Sequence, residues 1–187
     1  KMLSTLTPEQ TKVSDFMINE KCWSPDSGVL LFHHMGTGKT LNALAIIQNF
    51  KKIVSSVVII CPGELKPVWH EEINKWKSDA AIGAKILGYL EVFSLITQGV
   101  DLTEMFMNVA LIADEVHHIE TSLEPEEKKA KMYHSMSQAR VRVLLSGTPS
   151  MTTRGFMRVV FVASAGTVMP MDEASFTKRY LKVSILG

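Results

Sequence analysis

The stretch LLFHHMGTGKTLNALAI, residues 30–46, passes from an apolar run through a glycine-bearing turn into a second apolar run with a different period. Its centre, GTGKT from Gly36 to Thr40, fits the second half of a phosphate-binding loop, or P-loop. In such a loop the backbone N–H groups of the turn curl around phosphate oxygens. The lysine, here Lys39, neutralises them, and the hydroxyl of the next residue, Thr40, ligates magnesium. Glycine is required because a Cβ would hold the backbone away from the anion. Downstream, Ala43, Ile46, Ile47 and Phe50 fall at i, i+3, i+4 and i+7. That spacing predicts a helix starting near Gly38, with its positive end directed at the phosphates. The loop departs from the full pattern at one position: His33 stands where a small residue opens it. The pattern implies a bound nucleotide and leaves the use of that nucleotide open.

The rest of the 187 residues bounds the possibilities. With 46% apolar side chains the chain can bury the core of one domain. Lysine plus arginine (20) nearly balance aspartate plus glutamate (19), so a contact with nucleic acid must come from local placement or from backbone groups. The only cysteines, Cys22 and Cys61, form no CxxC pair, which argues for reduced thiols in an intracellular setting and against structural zinc. His33, His34 and His118 lack further partners at zinc spacing. No apolar run reaches the roughly 18 residues of a membrane span, and KMLSTLTPEQ has no signal-peptide core. The expectation is a soluble protein of the cytosol or nucleus.

Short β-branched runs recur at 28–33 (GVLLFH), 56–61 (SVVIIC), 84–89 (AKILGY), 109–114 (VALIAD) and 141–146 (VRVLLS), separated by helical segments. This alternation predicts an α/β fold with a central, mostly parallel sheet covered on both faces. Between the second and third runs, Leu65, Val68, Trp69, Ile73 and Trp76 form one apolar helical stripe, and the tryptophans read as core. The segment Pro125–Lys131 reads as a helix start with a solvated charged face. RVVFVA (158–163) is ambiguous, because its β-branched residues favour strand while its neighbours permit a helix.

The fourth run ends in DEVH, Asp114 to His117. Carboxyl ends of parallel strands line the ligand crevice, so Asp114 and Glu115 are expected beside the phosphate loop. Asp114 suits Mg²⁺, through water, and Glu115 suits orientation and deprotonation of an attacking water. Lys39 and Mg²⁺ would then stabilise charge on the transferred phosphoryl group. His117 is placed to relay to the next motif, SGTP (146–149), which closes the fifth run and supplies Ser146 and Thr148.

In this order GTGKT, DEVH and SGTP resemble motifs I, II and III of superfamily-two helicases, and ICPGELKPVWHEEINKW (60–76) resembles motif Ia with its following helix. The Swi/Snf-type DNA translocases have the most similar flavour. MGTGKT, from Met35, resembles their MGxGKT, and the segment Trp69 to Trp76 resembles their W-x-x-E-x-x-K-W. A similar layout occurs in the nucleoside triphosphatases and transcription-factor ATPases of large cytoplasmic DNA viruses. FTKRY (176–180) is similar to the segment after motif III in the remodellers. The resemblance implies a P-loop NTPase fold of RecA-like type, a three-layer sandwich, with ATP and Mg²⁺ held by Met35, Gly36, Thr37, Gly38, Lys39, Thr40 and Asp114. It implies that His117, Ser146 and Thr148 couple the motifs, and that Pro62, Gly63 and Lys66 touch nucleic acid, with duplex DNA favoured. It would also make RVVFVA helical. Departures are His33 and His34 in place of an acidic pair, and SMTTRG (150–155) where an asparagine is usual.

LTPEQ (6–10) supports two readings. Thr7, Pro8 and Gln10 satisfy a capping box, while the resemblance makes Gln10 a reader of the adenine edge. After Pro149 only 38 residues follow, and no Q-x-x-G-R-x-x-R pattern is present. The expectation is therefore one motor lobe, residues 1–187, of a longer nucleic-acid-dependent ATPase whose second RecA-like lobe lies elsewhere and supplies the arginine fingers. Alone, the chain should hydrolyse ATP negligibly. The setting would be the nucleus, or host cytoplasm or virion for a viral protein. A regulatory ATP-binding scaffold of a transcription or replication complex is the alternative, and a small-molecule phosphotransferase is a further one.

Overall fold

The computed structural model describes residues 6–8, 10–12, 15, 28–32, 38–79, 81–147 and 152–165. Five strands form one sheet among them: β1 (Val29–Phe32), β2 (Ser56–Cys61), β3 (Lys85–Gly88), β4 (Val109–Ala113) and β5 (Val141–Ser146). Their order is β1-β5-β4-β2-β3, and every pairing is parallel. The segment 84–89 yields a shorter strand than its sequence suggests, because Tyr89 already opens the next helix. Asp114 likewise lies one residue beyond β4.

Side chains alternate across the sheet, so each strand feeds two cores. Val57, Ile59 and Cys61 of β2, Ala110 and Ile112 of β4, and Val143 and Leu145 of β5 belong to one cluster. That cluster is closed by α1 (Lys39–Phe50) and α2 (Lys66–Trp76), through Leu44, Ile47, Trp69 and Ile73. Val58, Ile60, Leu111, Ala113 and Leu144 face the other way. They pack on α3 (Tyr89–Thr97), α4 (Thr103–Phe106), α6 (Glu126–Ser137) and α7 (Thr153–Ala163), with Phe93, Phe106, Tyr133 and Val159 prominent. A four-residue helix, α5 (His118–Thr121), bridges DEVH to α6. The result is the expected three-layer sandwich. β4 and β5 are buried along their whole length, which is why their sequences read as continuous apolar runs.

Three local expectations need correction or resolution. Val68 is 46% exposed and leaves the apolar stripe, because α2 buries the face that carries Trp69 and Ile73 and Val68 lies off it. The charged start of α6 is not wholly solvated: Lys129 is buried and its Nζ donates to the Glu120 carbonyl at 3.0 Å. RVVFVA lies inside α7, whose N-cap Thr152 Oγ1 accepts from the Gly155 N–H at 3.1 Å. Burial of Val159 and Val162 on the sheet overrides their strand propensity.

Gly28, just before β1, marks the closest approach between β1, β5 and the end of α7. A Cβ there would meet the Ala163 carbonyl oxygen at 2.8 Å and the Arg142 Cβ and carbonyl oxygen at 2.9 Å. Gly28→Ala is therefore expected to destabilise the fold by about 1–3 kcal/mol, as overpacking does against backbone that cannot yield. Urea denaturation measures this, and an unchanged midpoint would contradict the packing described.

Candidate nucleotide-binding site

The carboxyl ends of β1, β5, β4 and β2 lie side by side, and the residues after them converge. Gly38 caps α1 with φ 78°, a left-handed conformation suited to glycine. It brings Lys39 and Thr40 into the first turn of the helix. Across the crevice, Lys39 Nζ lies 3.1 Å from Glu115 Oε1, and both side chains are largely buried, at 10% and 16% exposure. The other Glu115 oxygen accepts the Gly147 N–H at 3.0 Å, and His117 Nδ1 lies 3.3 Å from that same oxygen. His117 Nδ1 is also 3.1 Å from Ser146 Oγ at the tip of β5. One carboxylate thus ties the start of α1 to the turns that follow β4 and β5.

Glu115 occupies φ 48°, a left-handed conformation rare for a side chain of this kind. The turn is held by hydrogen bonds from Val116 N to the Leu145 carbonyl (3.0 Å) and from His118 N to the Glu115 carbonyl (2.9 Å). Strain of this type persists where surrounding contacts over-determine it, and it concentrates at functional sites. Here it turns the glutamate toward Lys39.

The two neighbouring carboxylates are driven apart in acidity. Burial pushes Asp114 above the ordinary aspartate range, against the Trp69 hydrogen bond, which favours the charged form. Burial acts on Glu115 in the same sense, but the Gly147 N–H and the Lys39 amine together outweigh it and hold this carboxyl below the glutamate range. Burial, with His118 nearby, lowers His117 despite the Glu115 charge, so its ring is neutral at pH 7. Opposed shifts on adjacent groups are what a division of acid–base labour requires.

Asp114 itself is 7% exposed. Its Oδ2 accepts the indole N–H of Trp69 at 3.0 Å, and its carbonyl oxygen accepts the Tyr89 hydroxyl at 2.8 Å. Both contacts escape a reading that assigns the tryptophans to the core alone. A sequence signal existed: Asp114 continues the parity of Ala110 and Ile112, which face α1 and α2.

Gln10 takes up the first of its two readings, the capping box, and its side chain also reaches Gly38. Its Oε1 accepts the Thr7 N–H at 2.9 Å, its own N–H donates to Thr7 Oγ1 at 3.3 Å, and its Nε2 reaches the Gly38 carbonyl at 3.4 Å. The capping box is formed, and the amide it uses lies against the phosphate-loop exit. Pro62, Gly63 and Lys66 follow β2 and line a separate cavity of about 540 Å³ with Tyr89, Glu91 and His118. Lys66 Nζ contacts both oxygens of Glu91 at 2.9 Å. Met35, Gly36, Thr37 and Thr148, like His33, His34, Cys22 and the segment 176–180, lie outside the described residues. Cys61 is buried, and burial, with Asp114 nearby, pushes its thiol up to about 12, which leaves it inert at neutral pH.

Comparison with known proteins follows this geometry. Residues 9–91 match the family described as the SNF2-related domain. A bovine SWI/SNF-related matrix-associated actin-dependent regulator of chromatin, subfamily A-like protein 1, is 25% identical over 197 residues, covering 96% of this chain and 19% of that protein. A protein of Acanthamoeba polyphaga mimivirus classed as an ATP-dependent RNA helicase is 26% identical over 178 residues, covering 94% and 36%. The SWI2/SNF2 ATPase core of Sulfolobus solfataricus, solved in complex with dsDNA, superposes with a TM-score of 0.68 at 19% identity, covering 93% of this chain and 38% of that one. The chain is similar to a Swi/Snf-type lobe in sequence and fold.

This chain thus spans about a fifth of the bovine protein and about a third of the viral one. Within the Swi/Snf-like lobe, the W-x-x-E-x-x-K-W segment acquires distinct tasks. Trp69 holds Asp114, while Glu72 accepts from Lys75 at 3.0 Å and from the Trp76 indole at 2.6 Å. The donor set also suits a magnesium nucleotide. A threonine hydroxyl at a helix N-terminus and one nearby aspartate match an ion that takes one or two carboxylates and keeps its waters, and the lysine beside them matches the phosphates. At Gly38 a Cβ would meet Gln10 Nε2 at 2.5 Å, so the position before α1 admits no larger residue without displacing that amide.

The Lys39–Glu115 pair carries a pH signature. A carboxyl held below its ordinary value adds stability that is complete above the unfolded-state value, near 4.3, and is lost as pH falls through the folded value. Glu115→Gln is expected to destabilise the nucleotide-free protein at pH 7 by about 1–2 kcal/mol. The difference should shrink as pH drops below about 4.3. Urea titrations over a pH series read this out, and a difference independent of pH would contradict the assignment.

Proposed function

We propose that this chain is the first of two RecA-like lobes of a nucleic-acid-dependent ATPase, with the second lobe and its arginine fingers supplied by other sequence. The observation that carries this reading is the 3.1 Å contact between Lys39 and Glu115, because it places the amine and the general-base candidate in one crevice.

Each residue then has a task. Lys39 and the N-terminal N–H groups of α1 bind phosphate oxygens. Thr40 and Asp114 would hold Mg²⁺, and Asp114, buried as it is, would be favoured in its charged form by such a cation. Magnesium supplies neutralisation of the phosphate charge. Phosphates compete with Glu115 for the Lys39 amine, and Glu115, released from it, orients and deprotonates the attacking water. Through the Gly147 N–H and His117–Ser146, a change at Glu115 is felt at the tip of β5, the start of the segment that motif III occupies in the resembling enzymes. Gln10 contacts the phosphate-loop exit and is placed at the nucleotide's rim.

Nucleic acid is assigned to the cavity lined by Pro62, Gly63 and Lys66, which lies beside DEVH rather than within the nucleotide crevice. Lys66 must exchange Glu91 for a phosphate to take part. The Sulfolobus core bound to dsDNA supports duplex DNA as the track, and the viral relatives leave RNA as the competing one. The chromatin-regulator and viral relatives support a nuclear or a viral cytoplasmic setting. No described helix is long and apolar enough to cross a membrane.

In the complete protein, Lys39→Ala should abolish ATP binding, whereas Glu115→Gln should retain it and lower turnover by about 10²-fold or more. Wild-type turnover should rise with duplex DNA, and this stimulation should weaken with salt. ATPase rates with duplex DNA, single-stranded DNA and RNA in turn make the test. Turnover indifferent to all three, with Glu115→Gln fully functional, would replace a motor with a regulatory scaffold.

A further inference from the structure

Asp114 is held on more sides than its burial requires. Its N–H donates to the Ile60 carbonyl at 2.8 Å, its carbonyl accepts the Tyr89 hydroxyl at 2.8 Å, and its Oδ2 accepts the Trp69 indole at 3.0 Å. The Glu115 N–H adds a further hydrogen bond to the same carboxyl. Trp69 and Tyr89 are 1% and 4% exposed, so packing alone asks only for a large apolar ring at either place and not for a polar tip. A buried indole N–H or phenol needs a partner, but a backbone carbonyl anywhere nearby would serve. Instead two polar tips, from different helices on opposite faces of the sheet, converge on one residue.

We propose that Trp69 and Tyr89 are positioning residues that clamp Asp114 for magnesium, Trp69 by fixing the carboxylate and Tyr89 by fixing the backbone turn that carries it. This rests on the reading of Asp114 as the magnesium-binding carboxylate. With Oδ2 committed to the indole, the carboxylate cannot rotate freely, and the ion or its water meets lone pairs held in one orientation. Hydrogen-bond partners behind a ligating group commonly tune affinity in this way, by 10- to 100-fold. Of the two, Tyr89 lines the cavity assigned to nucleic acid, and Trp69 stands on α2 one helical turn beyond Lys66, which also lines it. The clamp therefore joins the wall of that cavity to the magnesium carboxylate by direct contacts.

The test uses the complete protein and a fluorescent ATP analogue, titrated with magnesium chloride and, separately, bound in EDTA. Trp69→Phe should raise the magnesium concentration for half-maximal binding about tenfold while leaving binding in EDTA unchanged. Tyr89→Phe should shift it in the same direction, and it carries the test should Trp69→Phe fail to fold. Trp76→Phe, the same change on the same helix without a link to Asp114, should leave the magnesium requirement unaltered. In an Asp114→Asn background, Trp69→Phe should add nothing, since the clamp acts through that carboxylate. An unshifted magnesium midpoint in both single variants would overturn the proposal while the nucleotide reading stood. So would an equal shift in the Asp114→Asn background. Wild-type protein that takes up no nucleotide with magnesium would instead overturn the site reading and the clamp with it.

Discussion

The site depends on one ion pair across the crevice between β1 and β4. An ammonium and a carboxylate, each nearly removed from water, meet at 3.1 Å because the sheet places their strands one apart, with β5 between. Burial of such charges is unfavourable unless they are paired and hydrogen-bonded, and Glu115 has Lys39, the Gly147 N–H and His117 around it. That set of partners explains why a glutamate tolerates a left-handed turn, and why its carboxyl stays charged while the adjacent aspartate is pushed toward neutrality. The same pair holds the Lys39 amine in the crevice where, on the proposed reading, a phosphate would take it.

The second constraint is the path from β2 and β3 to the same point. Lys66 and Glu91 join the helices that follow these strands, and Glu91 also accepts the Gly88 N–H at 2.5 Å. Trp69 and Tyr89, a few residues farther along the chain in the first case and adjacent to Gly88 in the second, end on Asp114. A cavity wall and the Asp114 carboxylate are thereby connected by packed, hydrogen-bonded groups rather than by proximity alone. On the far side of DEVH, Arg158 of α7 bridges Glu120 at 3.3 Å and Glu126 at 3.0 Å, so the helix after the fifth strand is tied back to the segment that follows the acidic pair.

Much of this was legible from local pattern. The apolar runs of β2, β4 and β5 are readable because both faces of the sheet are covered, and the meeting of Lys39 with Glu115 is readable because the carboxyl ends of parallel strands share one rim. The strand order was not, since nothing local says that β4 and β5 slot between β1 and β2. Val68 leaves the stripe because, five residues before Ile73, it stands about 140° round α2 from it, off the face that Trp69 and Ile73 bury. RVVFVA resisted local reading because its helix is imposed by burial on the sheet and by the Thr152 cap. Lys129 looked solvated because its acceptor, the Glu120 carbonyl, belongs to another helix. Trp69 is the instructive case: its burial was readable, and its polar task was missed although the parity of Asp114 pointed toward its helix.

The most direct measurement is a crystal structure of the complete protein with magnesium and a non-hydrolysable ATP analogue. The account predicts the Lys39 amine parted from Glu115 and seated on the terminal phosphates, the ion between Thr40 and the waters of Asp114, and Glu115 facing the phosphoryl group. A nucleotide bound outside this crevice, or one bound within it while Lys39 remains on Glu115, would contradict it.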